Sequence, residues 1–262
     1  MLRRLRHWVE TRRLRDSPLR DQWQQAVADW PVVARYQGEA RERLRDMALR
    51  LILRKYFLSG GGLLLTDAMR LRVATMAAVP VLELGLDWLR DWNAIVLYEG
   101  AFIPDHGWQD DAGVVHTGGE PLSGEAWELG PVILSWEDVL AASAEDGYNV
   151  VIHEIAHKLD MRSDGGANGA PPLHRGMNAR VWYEVMTDAW NALARAEQAG
   201  EPLPVDGYAL TEEAEFFAVL SENFFEAPER LQQALPRVYE QLALFYRQDP
   251  AALSKGVTQQ VR

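Results

Sequence analysis

The chain contains, at residues 149–160, the stretch NVVIHEIAHKLD, and this stretch decides how the rest of the sequence is interpreted. His153 and His157 are four residues apart, so a helix places them on one face, one turn from each other. Both imidazoles can then reach a single metal ion, while Glu154 lies beside it and can accept a proton from a metal-activated water. The pattern predicts an active-site helix that carries a metal site and a general base for hydrolysis.

The residues around this motif are apolar, which bears on whether the histidines are solvated or buried. Five of them give the predicted helix a mostly buried circumference: Val151, Ile152, Ile155, Ala156 and Leu159. The alternative is a helix with two surface histidines and a solvated glutamate. Because histidine and glutamate are seldom fully buried unless they are paired or coordinated, the apolar setting favours the metal site.

The composition is that of an ordinary globular protein, and it limits the kind of metal site. The chain has 262 residues, of which 48% are hydrophobic and 25% are charged, so it can form one large domain or two small ones. It contains no cysteine, which excludes disulfides and thiolate ligands. A zinc site must then use histidine, aspartate or glutamate, and such a site with an open position is more often catalytic than structural.

The formal net charge is −11, which argues against nucleic-acid binding by the chain as a whole. Arginines nevertheless crowd the N-terminus, at positions 3, 4, 6, 12, 13, 15 and 20. They are not followed by the apolar run that a secretory signal or a membrane span requires, so we expect a cytoplasmic protein. The basic segment is expected to be a solvated helix or tail, with docking to an acidic partner or an anionic membrane surface as the alternative.

The order of the predicted elements is helices, a small set of strands, and then helices. This order favours an α+β fold with a small mixed sheet over regular βαβ alternation. Residues 1–58 are predicted to form a helical N-terminal region packed on the rest of the protein. A glycine-rich break at 59–62 then opens a catalytic domain that spans 59–262. Its upper part, 59–160, holds the predicted strands, and its C-terminal part, 161–262, is largely helical.

The motif supplies two metal ligands, and a catalytic zinc site usually has a third from the protein. His174 lies in a proline-flanked loop and does not fit the short spacing of known three-histidine motifs. The segment 208–225, YALTEEAEFFAVLSENFF, instead places glutamates on an aromatic-rich helix. The first two fall in the first turn, where the helix dipole favours solvated acidic side chains. Glu215 has apolar neighbours and is the better candidate for the third ligand.

Two segments of the chain resemble those of the Mlc titration factor A family of bacterial cytoplasmic zinc peptidases. These segments are HEIAHKLD at 153–160 and YALTEEAEFFAVLSENFF at 208–225. The spacing between the tyrosine and the EFFA sequence is also similar to that in the catalytic domain of anthrax lethal factor. The sequence LRDSPL at 14–19 extends the resemblance to the N-terminal region.

The resemblance implies a zincin-like metallopeptidase fold and assigns a role to each residue of the site. His153, His157 and Glu215 would bind one Zn²⁺ ion in the HExxH…E arrangement of gluzincins. Glu154 would be the general base for a zinc-activated water. Tyr208, seven residues before Glu215, would donate a hydrogen bond to the oxyanion of the transition state. The expected activity is the hydrolysis of peptide bonds, and the resemblance suggests an aminopeptidase-like enzyme.

Two further features stay open at the level of sequence. Metal-bound histidines commonly donate their second N–H to a carboxylate, and either Asp160 or Glu222 can take that role or remain solvated. A peptide substrate is expected to add to the sheet as an extended strand, along residues 132–136 or along 95–98. The sequence decides neither between the two carboxylates nor between the two strands.

A second function belongs to a different class. The resemblance also implies a regulatory protein that sequesters a DNA-binding transcriptional repressor of the Mlc type, with or without catalysis. The acidic surface could attract a basic partner, but general acidity does not specify that contact. A glycine-rich loop at 165–169 follows the motif helix and could move if the peptidase is latent until a partner binds.

Overall fold

The computed structural model describes residues 17–101, 130–142, 147–162 and 166–254, the single residues Glu10 and Leu14, and the backbone of three short strands between 108 and 126. Six of the seven N-terminal arginines precede residue 17. The predictions about the basic segment therefore lie outside the described residues.

Helices make up most of the described structure, and from residue 179 to residue 246 the chain is mostly helical. In chain order the α-helices are α1 (Leu19–Ala26), α2 (Gly38–Arg54), α3 (Asp67–Ala78), α4 (Trp136–Ala141), α5 (Val150–Asp160), α6 (Ala179–Gln198), α7 (Glu213–Glu226), α8 (Pro228–Ala234) and α9 (Pro236–Tyr246). Short 3₁₀ turns lie at Pro31–Arg35, Leu86–Leu89 and Gly207–Leu210.

The strands form one small mixed sheet and a separate two-stranded pair. They are β1 (Tyr56–Ser59), β2 (Ala94–Tyr98), β3 (Trp108–Gln109), β4 (Val115–His116), β5 (Gly124–Ala126) and β6 (Val132–Ser135). The sheet has the order β1-β2-β6-β5, in which the first three strands are parallel and β5 runs antiparallel to β6. Strands β3 and β4 pair with each other. The mixed helical architecture with a small mixed sheet agrees with the predicted α+β class.

Strand β1 is an element that the sequence patterns did not predict. The helical periodicity of the N-terminal region was expected to continue to residue 58, but α2 ends at Arg54 and Lys55 already has an extended backbone. Tyr56 then pairs in register with Ala94 of β2. The predicted boundary between residues 58 and 59 therefore falls inside this strand. Pairing between segments far apart in the chain leaves no local signal, which is why periodicity missed it.

The prediction that substrate pairs with residues 95–98 or 132–136 is wrong in its choice of strand. Both segments are strands, β2 and β6, but each is hydrogen-bonded to a neighbour on both sides. Their backbone N–H and C=O groups are therefore already used within the sheet. Among the described strands of this sheet, the outer positions belong to β1 and β5. Of these two, β5 contacts the motif helix α5.

The helices α5 and α7 pack against each other and share the hydrophobic core of the N-terminal region. Helix α3 connects the two parts, because it contacts α1 and α2 of the N-terminal region and also the motif helix α5. Buried residues from both parts belong to one core cluster, among them Trp23, Trp30, Ile155 and Phe217. In the described part of the chain, the structure contains no helix that is long and apolar enough to cross a membrane.

Candidate metal centre

Helix α5 begins at a capped N-terminus that fixes the orientation of the motif. Asn149 has an extended backbone, and its side-chain oxygen accepts hydrogen bonds from the N–H groups of Val151 and Ile152. This is an N-cap of the kind that asparagine commonly forms. The helix then continues through His153 and His157 as predicted, so that both rings lie on one face, with ring centroids 4.7 Å apart.

Helix α7 brings two glutamates to this face from the far end of the chain. Glu215 Oε2 lies 2.9 Å from His153 Nε2, and Glu215 Oε1 lies 3.3 Å from His157 Nε2. Glu222 is seven residues further along the same helix, and its Oε1 lies 2.8 Å from His153 Nδ1. The other oxygen of Glu222 accepts a hydrogen bond of 2.6 Å from the backbone N–H of Asn149.

The atoms that converge between the two helices are arranged so that they could hold a metal ion. When His153 is neutral and its Nδ1–H is donated to Glu222, its Nε2 offers a lone pair to a metal ion. That Nε2 lies 3.1 Å from His157 Nε2 and faces the Glu215 carboxylate, which in its ionised form only accepts. One ligand atom from each of His153, His157 and Glu215 lies within 4.8 Å of the others. With both histidines neutral, these lone pairs converge on one point where a cation can replace the shared protons, and two histidines with one glutamate form a zinc-ligand set.

The pKa shifts of the two nearest carboxyl groups have opposite directions. Burial raises the pKa of Glu154 to about 7, although the two histidines oppose the shift. Burial also acts on Glu215, but hydrogen bonds from His153 and His157 outweigh it and lower the pKa of Glu215 to about 2. His153 loses basicity through burial, yet Glu215 and Glu222 raise its pKa well above the ordinary 6.5. The site is therefore strongly attractive to positive charge, whether a proton or a metal ion.

Tyr208 lies at the exposed side of this cluster. Its ring centroid is 6.2 Å from that of His153, and about half of the residue's surface, 52%, is exposed. The 3₁₀ turn that carries it is held by Asp206, whose side chain accepts the Tyr208 N–H at 2.8 Å, and the turn packs on α7. Burial, followed by the charges of Glu215 and Glu154, raises the pKa of the Tyr208 hydroxyl. The hydroxyl thus keeps its proton at neutral pH and is able to donate it in a hydrogen bond.

The structure distinguishes between the residues that the sequence left open. Glu222 contacts a candidate ligand, whereas Asp160 accepts the backbone N–H groups of Asn168 and Gly169, each at 2.7 Å. His174 is not one of the converging residues. Its Nε2 lies 2.7 Å from the carbonyl oxygen of Phe245, and its ring stacks on the ring of that residue. The first two glutamates of the segment, at 212 and 213, are exposed as expected.

Sequence patterns missed Glu226, which lies on the buried face of α7 and is 1% exposed. Its Oε1 accepts hydrogen bonds from the side chains of Asn149, at 2.6 Å, and Trp30, at 2.9 Å. A signal was present: Glu222 and Glu226 are four residues apart, so they share the face of a helix that is otherwise aromatic and aliphatic. A glutamate at such a position requires a partner.

Comparison with known proteins places the chain among metallopeptidases. Residues 5–247 match the model of the family described as glucose-regulated metallo-peptidase M90. The chain is 40% identical over 235 residues to Mlc titration factor A of Yersinia enterocolitica serotype O:8 / biotype 1B, which covers 89% of this chain and 88% of that protein. It is 42% identical over 236 residues to Mlc titration factor A of Yersinia pestis strain Pestoides F and of Yersinia pseudotuberculosis serotype O:1b, covering 89% of this chain and 87% of each.

These matches confirm the resemblance to the Mlc titration factor A family that the two sequence segments indicated. The family description implies a metal ion and a peptidase activity, and the cluster of His153, His157 and Glu215 is compatible with both. The match covers the N-terminal region as well as both helices that carry the site. The chain therefore belongs to the glucose-regulated metallo-peptidase M90 family.

Proposed function

We propose that the protein is a zinc-dependent peptidase of the gluzincin type with a zincin-like fold, and that His153, His157 and Glu215 hold the zinc ion. The observation that carries the proposal is the convergence of three ligand atoms from α5 and α7 within 4.8 Å, with Glu154 on the same helix. A zinc ion held there would polarise the substrate carbonyl and lower the pKa of a water molecule toward neutrality.

The remaining steps are assigned to side chains of this protein. Glu154, which is buried on the same helix as the two histidines, accepts the proton of the attacking water and returns it to the leaving amine. Tyr208 donates a hydrogen bond to the oxyanion that forms when the peptide carbonyl is attacked. Because β5 is an outer strand that contacts α5, an extended peptide can add to the sheet along it and present its carbonyl to the site.

The general base is tested by replacing Glu154 with Gln, which keeps the shape of the side chain but removes its basicity. Peptide hydrolysis should fall by roughly two to four orders of magnitude, while the protein keeps one equivalent of zinc by elemental analysis. Glu184→Gln, an exposed change in α6, is the control and should retain full activity. Hydrolysis by Glu154→Gln at the rate of this control would exclude the mechanism.

The third ligand is tested by a pair of substitutions on the first turn of α7. Glu215→Ala should lose zinc, because only two protein ligands remain. Glu213→Ala removes an exposed carboxylate two residues earlier on the same helix and should bind zinc like the unchanged protein. If Glu215→Ala retained zinc at the control level, another residue would have to be the ligand.

The aminopeptidase-like activity is proposed from the family resemblance, and acidic groups around the site agree with it. Glu212 and Asp206 are exposed near Tyr208, where a carboxylate can hold the free α-amine of a substrate. A short peptide and its N-acetylated form separate the two modes of cleavage. An aminopeptidase should cleave only the free peptide, whereas equal rates on both would identify an endopeptidase.

A regulatory role is the second candidate, and the names of the relatives favour it. Those proteins are called Mlc titration factor A, which points to an interaction with the Mlc repressor. We propose that this chain binds a repressor of that kind, and that a cytoplasmic location accompanies the role. A pull-down with the double variant His153→Ala, His157→Ala tests whether the functions are separable. Retained binding without hydrolysis indicates a separate regulatory surface, and loss of both ties binding to the metal centre.

A further inference from the structure

The N-terminal region reaches the candidate metal centre through a short chain of buried hydrogen bonds. Trp30 Nε1–H donates to Glu226 Oε1 at 2.9 Å, and the Asn149 side-chain N–H donates to the same oxygen at 2.6 Å. The Asn149 backbone N–H donates to Glu222, which in turn contacts His153 Nδ1. Four contacts thus connect an indole of the N-terminal region to a residue assigned as a metal ligand.

Both helices of the site are held at their ends by the same part of the chain. Arg35, which ends the 3₁₀ turn after Trp30, donates to the carbonyl oxygens of Phe225 and Glu226, the latter at 2.8 Å. These are among the last carbonyls of α7, which have no partner within the helix itself. Through Glu226 and Asn149, the N-terminal region also fixes the first turn of α5. The two helices carry all three candidate ligands.

We propose that Trp30, Glu226 and Asn149 are positioning residues that set the distance and orientation of α5 relative to α7, and through Glu222 the orientation of the His153 ring. This inference rests on the proposed metal centre. None of the three residues touches the converging ligand atoms, so they act through Glu222 and through the helix ends. We call this set, Trp30–Glu226–Asn149–Glu222, the relay.

The burial of the relay explains why a small change in it is transmitted to the site. Trp30 and Glu226 are each 1% exposed, and Asn149 is 0% exposed. A buried polar group that loses its partner is costly to leave unsatisfied, so the structure shifts to restore the bond. Any such shift moves the N-terminus of α5, which lies one turn before His153. Groups hydrogen-bonded to metal ligands typically change metal affinity by roughly 10- to 100-fold when they are removed.

The chain offers a matched control for the indole hydrogen bond. Trp23 is also 1% exposed and also belongs to the N-terminal region, and its Nε1–H donates to Thr75 at the same distance of 2.9 Å. Trp23→Phe and Trp30→Phe each remove one buried indole N–H and keep an aromatic ring. The two variants should lose similar stability, so that a difference between them in metal binding reports on the relay alone.

The experiment measures zinc affinity by competition with a chromophoric chelator, the visible absorption spectrum of the Co²⁺-loaded protein, and the melting temperature without metal. Trp30→Phe should weaken zinc binding roughly 3- to 10-fold, below the range for a direct partner of a ligand, and should shift the Co²⁺ spectrum. Trp23→Phe should leave affinity and spectrum unchanged. Equal affinities and spectra for the two variants would overturn the relay.

A second pair of variants addresses the carboxylate and separates the relay from the metal centre itself. Glu226→Gln keeps an oxygen that can accept from Trp30 and Asn149, so its zinc affinity and Co²⁺ spectrum should stay close to those of the unchanged protein. Glu226→Leu removes the acceptor and should lower affinity at least as much as Trp30→Phe. Equal affinities for Gln and Leu would count against the relay. The proposed metal centre itself is tested first, by comparing zinc binding of the unchanged protein and of His153→Ala. If the unchanged protein bound no zinc, or if His153→Ala bound it equally well, the proposed function would fail before any relay variant is compared.

Discussion

Glu154 and Glu215 are both glutamates beside the same two histidines, yet their surroundings give them different chemistry. Glu154 is buried, and in the metal-free site burial raises its pKa to about 7. Glu215 lies against both imidazoles, and their hydrogen bonds lower its pKa to about 2, so it is ionised at neutral pH and suits the proposed ligand role. In many active sites, two carboxyl groups with different pKa values take different roles, because one of them can exchange a proton while the other stays ionised.

Tyr208 provides a prediction at the same scale. Tyr208→Phe removes only the hydroxyl, and because the ring is half exposed, folding should be little affected. If the hydroxyl stabilises the oxyanion, kcat should fall by roughly 100-fold with little change in KM or zinc content, since the bond forms only in the transition state. Steady-state kinetics on a short peptide provide the measurement. A rise in KM at constant kcat would instead make Tyr208 a substrate-binding residue.

At the scale of elements, the site depends on how the segment after α5 meets the start of α7. Asp160, the last residue of α5, accepts the N–H groups of Asn168 and Gly169, which anchors this part of the glycine-rich loop. Gly169 has a φ of 75°, and a Cβ added there would lie 2.5 Å from the backbone oxygen of Glu213, the first residue of α7. The described part of the loop is therefore tied to both helices, which argues against free movement of these residues.

Two glycines of this loop, Gly166 and Gly169, give a paired test of that packing. Gly166 also has a positive φ, 86°, but open space surrounds its missing Cβ. Gly166→Ala should cost about 1–2 kcal/mol of unfolding free energy, for the left-handed backbone alone. Gly169→Ala should cost roughly 1–3 kcal/mol more, because backbone must move, and should also weaken zinc binding through α7. Urea denaturation and zinc titration measure both effects; equal losses would mean that the loop does not brace α7.

The stability of the whole molecule should depend on pH through Glu226. Burial raises its pKa to about 7, above the ordinary 4.5, although hydrogen bonds from Asn149 and Trp30 and the charge of Arg35 oppose the shift and Glu222 adds to it. Between pH 4.5 and 7 the unfolded chain ionises this carboxyl while the folded protein keeps the proton. The folded state binds more protons there, so the free energy of unfolding falls as pH rises through this window and is level above it.

Glu226→Gln isolates this contribution from those of the other buried acids. Between pH 4.5 and 7, the unfolding free energy of the unchanged protein should fall relative to that of Glu226→Gln, by at most about 3 kcal/mol. Chemical denaturation of the metal-free proteins at several pH values measures it. A difference that stays constant with pH would show that Glu226 has the same pKa in the folded and unfolded states.

The sequence alone specified the parts of the site that are local. The four-residue spacing of His153 and His157 and the position of Glu154 follow from helix geometry, and the apolar setting of the motif predicted burial. The α+β class also followed from the order of elements. The apolar neighbours of Glu215 made it a candidate, but its assignment as the third ligand and the role of Tyr208 needed the family resemblance, because both residues lie more than 50 residues from the motif and no periodicity relates them to it.

Only the tertiary structure decided which distant groups meet. It paired His153 with Glu222 rather than Asp160, placed β2 and β6 inside the sheet, and added β1 from a segment predicted to be helical. It also joined Trp30 to Glu226 across 196 residues. The physical reason is common to all of these. Local patterns encode propensity and burial, whereas the choice of partner depends on packing and hydrogen bonding between segments that are adjacent only after folding.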